Sequence, residues 1–170
     1  MNVSDAIRTK RAVRKFQETP LSDDVVRIIL NAGRRSQSSK NNQPWQFIAI
    51  REKSILKALS GTGTFAGHLA GAALGVAILI PNPDDKFQTL FDAGQAAAYM
   101  QLAAWEQGVG SCLASIYDLD KAREILSFPQ EWQVRICISF GFPIDKELIT
   151  DAPKKGGRKP FDEMVHWEKW

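Results

Sequence analysis

The stretch FQTLFDAGQAAAYMQLAAWEQ (Phe87–Gln107) decides the fold class. Phe91, Gly94, Ala98, Leu102 and Trp105 recur at spacings of three and four, the period of a helix, and at 1.5 Å per residue the segment makes a rod of about 30 Å. Its GQAAAY and LAA pieces carry small side chains that let another helix approach closely, which suits either the centre of the fold or an interface between two copies. Strand-like runs lie on both sides of it. WQFIAI (Trp45–Ile50) follows the breaker Pro44, GVAILI (Gly75–Ile80) precedes the long helix, and VRICISF (Val134–Phe140) follows it. Two shorter amphipathic helices open the chain. Ser4 is the expected cap of the first, with Ala6, Ile7 and Val13 as its apolar positions. Ser22 is the expected cap of the second, which runs through Val25, Ile28, Ile29 and Ala32 to Gly33. A long helix among strands and short helices predicts an α+β architecture.

With 170 residues, 44% hydrophobic and 24% charged, the chain fits one folded domain over 1–170 and leaves no case for a disulfide scaffold or a disordered chain. The longest apolar run, Leu69–Ile80, has 12 residues and two glycines, short of the roughly 20 that a membrane helix needs. The opening MNVSDAIRTKRAVRKF puts charges where a signal peptide has its apolar stretch, and Cys112 and Cys137 sit among apolar neighbours, so a cytoplasmic protein with reduced thiols is expected. From Pro143 onward Pro, Gly and Lys are frequent, yet Phe161, Met164, Val165, Trp167 and Trp170 crowd the last ten residues. Such a tail is expected to dock on an apolar surface, its own or a partner's.

Charge is distributed unevenly. Residues 1–60 hold 12 Lys/Arg against 5 Asp/Glu, and residues 61–170 hold 10 against 14. The basic residues come in short clusters, KRAVRK (10–15) and GRRSQSSK (33–40), without the continuous aromatic-interleaved stripe of a nucleic-acid surface, so a small anion is the better partner and a merely solvated surface the alternative. There is no G-x-S-x-G elbow and no metal-ligand spacing among His68, His166, Cys112 and Cys137, which argues against nucleophilic hydrolysis and a zinc or iron site. GTGTFAG (Gly61–Gly67) has the wrong spacing for a dinucleotide fingerprint and reads as a flexible loop, with His68 a loop histidine and Phe65 a core residue in preference to the alternative that both line a pocket. What remains are groups suited to holding a ligand. Lys10, Arg11, Arg14 and Arg158 are cations for a phosphate, and SSKNNQPW (Ser38–Trp45) offers hydroxyls and amides in a polar turn, unless it is only a capping turn.

Taken in order, KRAVRKF (10–16), SQSSKNNQPWQF (36–47), DAGQAAAYMQLAAWEQGVGSC (92–112), ISFGFP (138–143) and GGRKPFDEMVHW (156–167) resemble the nitroreductase family of FMN-dependent oxidoreductases. The resemblance implies an α+β fold, a mixed sheet flanked by helices, and a homodimer built on the long helix and exchanged terminal segments, with one FMN in each of two interface clefts. It implies that Lys10, Arg11 and Arg158 hold the FMN phosphate and that Arg14 faces the pyrimidine edge, where its charge favours the reduced ring. Ser38, Ser39, Asn41 and Gln43 would contact ribityl and ring atoms from the other subunit, and main-chain groups around Leu113, Ala114 and Ser115 would lie near the ring. The implied reaction is a ping-pong hydride transfer from NADH or NADPH through the flavin N5 to a nitroaromatic, quinone or similar small acceptor, with no side-chain nucleophile, no metal, no membrane and no nucleic acid.

The chain departs from the family pattern at Ala12, where Ser is common, at Gln37, where Pro is common, and at Gly156, where larger members carry a cation. One hydroxyl and one phosphate contact are thereby missing from the expected set, with Lys155 or Lys159 as candidates to replace the cation. The short stretch between Lys53 and Gly75 leaves little room for the helical excursion of longer members, which predicts an open pocket. Two alternatives stay beside the oxidoreductase reading: a flavin-binding storage or sensing protein without turnover, and a family member with another flavin reaction such as dehalogenation, enoate reduction or flavin fragmentation.

Overall fold

The computed structural model describes residues 1–82, 86–151 and 157–170. Helices α1 (Val3–Thr9) and α2 (Asp23–Arg34) precede strand β1 (Gln46–Ile50), and α3 (Lys53–Leu59) and a 3-10 helix (Ala66–Gly71) lead into β2 (Leu74–Pro81). The long helix α4 (Phe87–Glu106) is followed by β3 (Gly110–Ser115), α5 (Leu119–Leu126), β4 (Trp132–Gly141) and two single turns, α6 (Glu147–Thr150) and α7 (Phe161–Met164). The strands form one sheet in the order β1-β2-β4-β3, every pair antiparallel. The parallel pairing that makes a sheet mixed is confined to one bridge, Ala12 with Ser111.

Side chains of β2 alternate between two cores, as the two-residue period of a strand requires. Val76 and Ile78 face α2 and α4, where Val26, Ile29, Ala96 and Met100 are buried with Ile138 and Phe140 of β4. Ala77 and Leu79 face the opposite layer, with Leu56 and Leu59 of α3, Leu69, Ala122 of α5 and Cys137. Burial on both faces explains why β2 reads as an unbroken apolar run. Trp105 and Phe140 are wholly buried, each contributing about 1.5–3 kcal/mol through apolar burial.

Several sequence expectations shift by a few residues. The cap of α1 is Asn2, whose Oδ1 accepts from the Asp5 N–H at 2.8 Å, not Ser4, and Val13 lies in extended chain beyond the helix. Ser22 caps α2 as expected. Strand β3, hidden behind the short GVGSC sequence, is an addition. Among the terminal aromatics Phe161, Trp167 and Trp170 stay exposed, Trp170 fully, so the tail does not dock on its own chain. Both cysteines are free and buried. No helix among the described residues is long and apolar enough to cross a membrane.

The contact that positions the N-terminal cations is a notch between two opposed glycines. Gly110 and Gly141 are direct partners in the β3–β4 ladder. A Cβ on Gly110 would lie 2.6 Å from the Cβ of Val13, and one on Gly141 would lie 2.9 Å from the Cβ and ring of Phe16. Val13 and Phe16, both buried, therefore seat against bare backbone. Gly110→Ala is expected to destabilise the protein by about 1–3 kcal/mol, since Val13 is stiff at χ1 and cannot give way. The urea midpoint measures this, and a midpoint equal to the parent's would mean that the segment is held some other way.

Candidate functional site

The segment after α1 is tied down on both sides of the notch. Trp105 Nε1 donates to Thr9 Oγ1 at 2.9 Å, fixing the end of α1 on the last turns of α4. Val13 N–H then donates to Ser111 O at 2.9 Å, and Gln17 N–H to Phe142 O at 2.8 Å. With Val13 and Phe16 turned inward, Arg14 is left exposed and Lys10 half-buried beside β3. Both cations act on the Cys112 thiol. Burial, the largest influence, pushes that thiol up, while Arg14 and Lys10 pull it down. Burial likewise lowers the pKa of Lys10. The full burial of Cys137 pushes its thiol up to about 12. Among the described residues Lys10, Arg11 and Arg14 pair with no carboxylate, the ion pairs being Arg8–Asp5 and Arg51–Asp23. Arg11 turns the other way, its Nη2 donating to Glu147 O at 3.4 Å, and its buried Nε has no partner among the described residues.

The outer edge of β3 continues this surface. Ladder bonds alternate along an antiparallel strand. Ile116 N–H bonds toward β4, at Arg135 O, and Ser111 O bonds outward to Val13, so the N–H groups of Leu113 and Ser115 face outward as well. Neither has a partner among the described residues. Side chains of Leu113 and Ser115 are exposed, whereas Ala114 points into the core. An apolar cavity of about 260 Å³ opens beside Leu113, between Gly94, Ala97 and Gln101 of α4 and Ile136 of β4.

The glycine-rich segment closes the far end of this edge. A Cβ on Gly63 would collide with Ser115 O, and Thr62 O accepts from the N–H groups of Tyr117 and Asp118, so the segment is fixed against β3 and not a free loop. Phe65 is 82% exposed, not a core residue. His68 Nδ1 lies 2.8 Å from the Oγ of fully buried Ser139, which also reaches Cys112 O at 3.3 Å. Burial lowers the pKa of His68, and the charge of Arg14 acts in the same direction against the Leu113 carbonyl.

The polar turn lies elsewhere. Lys40, Asn41 and Gln43 have φ of 53°, 56° and 47°, left-handed conformations that cost non-glycine residues about 1–2 kcal/mol each. Local bonds, such as Gln43 N–H to Ser38 Oγ at 2.9 Å, shape the turn, and Ser39 N–H donates to the Asp92 carboxylate at 2.9 Å. Asp92 is near the start of α4, while Trp105, which secures the cation segment, is near its end. Thirteen residues of helix separate them, roughly 20 Å.

The expected site residues thus fall into two groups on one chain. Lys10 and Arg14 come together beside Cys112, Leu113 and Ser115 follow along the same strand with Leu113 next to the first half and middle of α4, and Ser38, Ser39, Asn41 and Gln43 gather at the start of α4. Arg158 is exposed in the tail with no contact to either group among the described residues, and Lys155 and Gly156 lie outside the described residues. Asp92, Ser139 and the bracing role of His68 were missed by sequence reasoning. A signal existed for Asp92, the one charged residue between Lys86 and Glu106. Ser139 and His68 meet only through the sheet register.

Residues 7–63 and 64–142 match the sequence model of the nitroreductase family. A protein of Archaeoglobus fulgidus provisionally named NADH dehydrogenase/NAD(P)H nitroreductase is 28% identical over 96% of this chain and 96% of its own length. An FMN-dependent nitroreductase of Clostridium difficile superposes with a TM-score of 0.85 at 26% identity, over 99% of this chain and all of that one. The NADPH:FMN oxidoreductase of Vibrio harveyi, solved with NAD+, shares the fold at a TM-score of 0.85 and 21% identity, over 98% of this chain and 77% of that one.

The depressed pKa of His68 has a sign that can be measured. The unfolded chain takes up a proton at the ordinary value of 6.5 and the folded chain only at lower pH, so the stability from a neutral His68 is complete above pH 6.5 and is lost as pH falls through the folded-state value. His68→Gln is expected to lose less stability than the parent between neutral and mildly acid pH. Paired urea titrations at the two pH values measure the difference, and equal pH dependence in the two proteins would contradict the lowered pKa of the half-buried imidazole.

Proposed function

The chain belongs to the nitroreductase family, and from that premise we propose that it is a single-domain FMN-dependent NAD(P)H oxidoreductase, working as a homodimer by ping-pong transfer to nitroaromatic, quinone or similar small acceptors. The observation that carries the reading is the donor set along β3. Among the described residues Lys10 and Arg14 beside it have no carboxylate partner, two of its outward N–H groups have no partner, and nearby Arg11 keeps a buried Nε without one; together these suit a ligand that is anionic at one end and rich in acceptors at the other. A phosphorylated flavin has this character. When bound, FMN supplies the hydride acceptor and the electron donor of the cycle.

The protein's own groups have separable tasks in this reading. Lys10 and Arg11, with Arg158, hold the phosphate, whose charge of about −1.5 to −2 calls for more than one cation. Arg14 keeps a fixed positive charge beside the pyrimidine edge, where reduction builds negative charge, and so favours the reduced state. The N–H groups of Leu113 and Ser115 orient polar ring atoms, and the cavity beside Leu113 excludes water from one side. Ser38, Ser39, Asn41 and Gln43 complete the site from a second copy. The span of α4 supports that assignment, because antiparallel packing of two such helices brings the start of one beside the end of the other. Gly94 and Ala98 are exposed on α4 with Phe91, and the aromatic tail is left without cover, which also supports a dimer.

The reading is tested by anaerobic spectroscopy. The protein loaded with FMN is expected to bleach its visible flavin absorption on adding NADH or NADPH and to recover it with a nitroaromatic or quinone. Flavin uptake without bleaching would move the protein to the storage or sensing class, and no uptake would end the flavin reading. Arg14→Ala is expected to keep the far-ultraviolet spectrum of the parent and to lower the flavin midpoint potential in a reductive titration. An unchanged potential would remove Arg14 from its role.

A further inference from the structure

The turn Ser38–Gln43 holds three left-handed residues while five of its members, Ser39–Gln43, are exposed, so packing does not enforce its shape. Its other hydrogen bonds among the described residues are local, from Asn41 and Asn42 N–H to Ser38 and Ser39 O and from Gln43 to Ser38 and Asn41. One bond reaches a distant part of the chain, from Ser39 N–H to Asp92 Oδ2. Asp92 is only 4% exposed, and its other oxygen receives a weak contact from Gln95 Nε2 at 3.5 Å. A buried carboxylate with no cationic partner among the described residues is costly unless it is hydrogen-bonded, and here its strongest bond is to the turn.

We propose that Asp92 is a positioning residue for the cofactor: by accepting from the Ser39 N–H it holds the strained turn in its ligand-ready shape and ties that turn to α4. The inference rests on the flavin reading above. Asp92, 4% exposed at the edge of a cavity that it shares with Ser38 and Ser39, is assigned to act through the turn. Since α4 is also the helix assigned to the dimer, the anchor couples cofactor grip to the helix on which the second chain packs.

The test compares hydrogen exchange of residues 37–44 in flavin-free protein with FMN affinity measured by fluorescence titration. Asp92→Ala is expected to speed exchange in that segment and to weaken FMN about tenfold, the scale of a charge-assisted hydrogen bond. Asp92→Asn, which keeps an acceptor, is expected to restore most of both. Ser39→Pro removes the donor from the other side of the bond, and its demand for extended backbone at the preceding residue is already met by Ser38, with φ −147° and ψ 155°. It should reproduce the loss while Ser39→Ala, which keeps the N–H, loses less. This pair decides the matter if Asp92→Ala fails to fold. Parent-like exchange or affinity in Asp92→Ala, or an Asp92→Asn as weak as Asp92→Ala, would overturn the positioning role. A parent that takes up no FMN would instead overturn the flavin reading, with the exchange data still judging the anchor.

Discussion

Close approach of backbone to side chain at Gly110 and Gly141 is the constraint on which the rest of the site depends. Two opposed glycines at one end of the β3–β4 ladder leave a recess with no Cβ on either wall, and Val13 and Phe16 fill it. With those two seated, Arg14 is left exposed and Lys10 half-buried, next to the open edge of β3. Binding groups and core are therefore specified together. A side chain added at either glycine would push the cations off the edge that gives them their meaning, without altering any residue that meets a ligand.

The long helix was the most legible element. Its bounds appear in the sequence almost as they do in the structure, but of the stripe read there only Trp105 is fully buried: Phe91, Gly94 and Ala98 are exposed, and the helix turns Ala96, Ala97, Met100 and Ala104 inward instead. Strand β2 was legible through its burial on both faces. β3 was not, since six residues containing Gly110, Ser111 and Ser115 carry too little apolar pattern to announce a strand, and its identity comes from pairing with β4. The cations could be named from the sequence but not sorted. That Lys10 and Arg14 act on Cys112 while Arg11 donates to Glu147 O depends on contacts with β3 and α6, which are distant in sequence. Asp92 illustrates the other kind of miss: a single charge on an otherwise uncharged helix was visible, but what it meets lies 53 residues away.

The two sides of β3 serve different ends. Inward, Ala114 is packed against the layer that contains α3 and α5, and His68 and Ser139 bind the glycine-rich segment to the sheet. Outward, the same strand presents bare amides. Rigidity on one side and open hydrogen-bonding capacity on the other is what a site needs when a bound group supplies the chemistry and the protein only orients and polarises it. The tight fit of Gly63 against Ser115 O closes this edge at its far end.

The separation of the cation segment from the polar turn along α4 also bears on heredity. In a two-chain site of the proposed kind, a chain damaged at Lys10 or Arg14 and another damaged at Gln43 fail in different halves. When the two are made in one cell, a mixed pair has one cleft carrying both defects and one carrying neither. Two loss-of-function alleles can then complement each other within a single gene, up to the fraction of pairs that are mixed, whereas two alleles damaged in the same segment cannot.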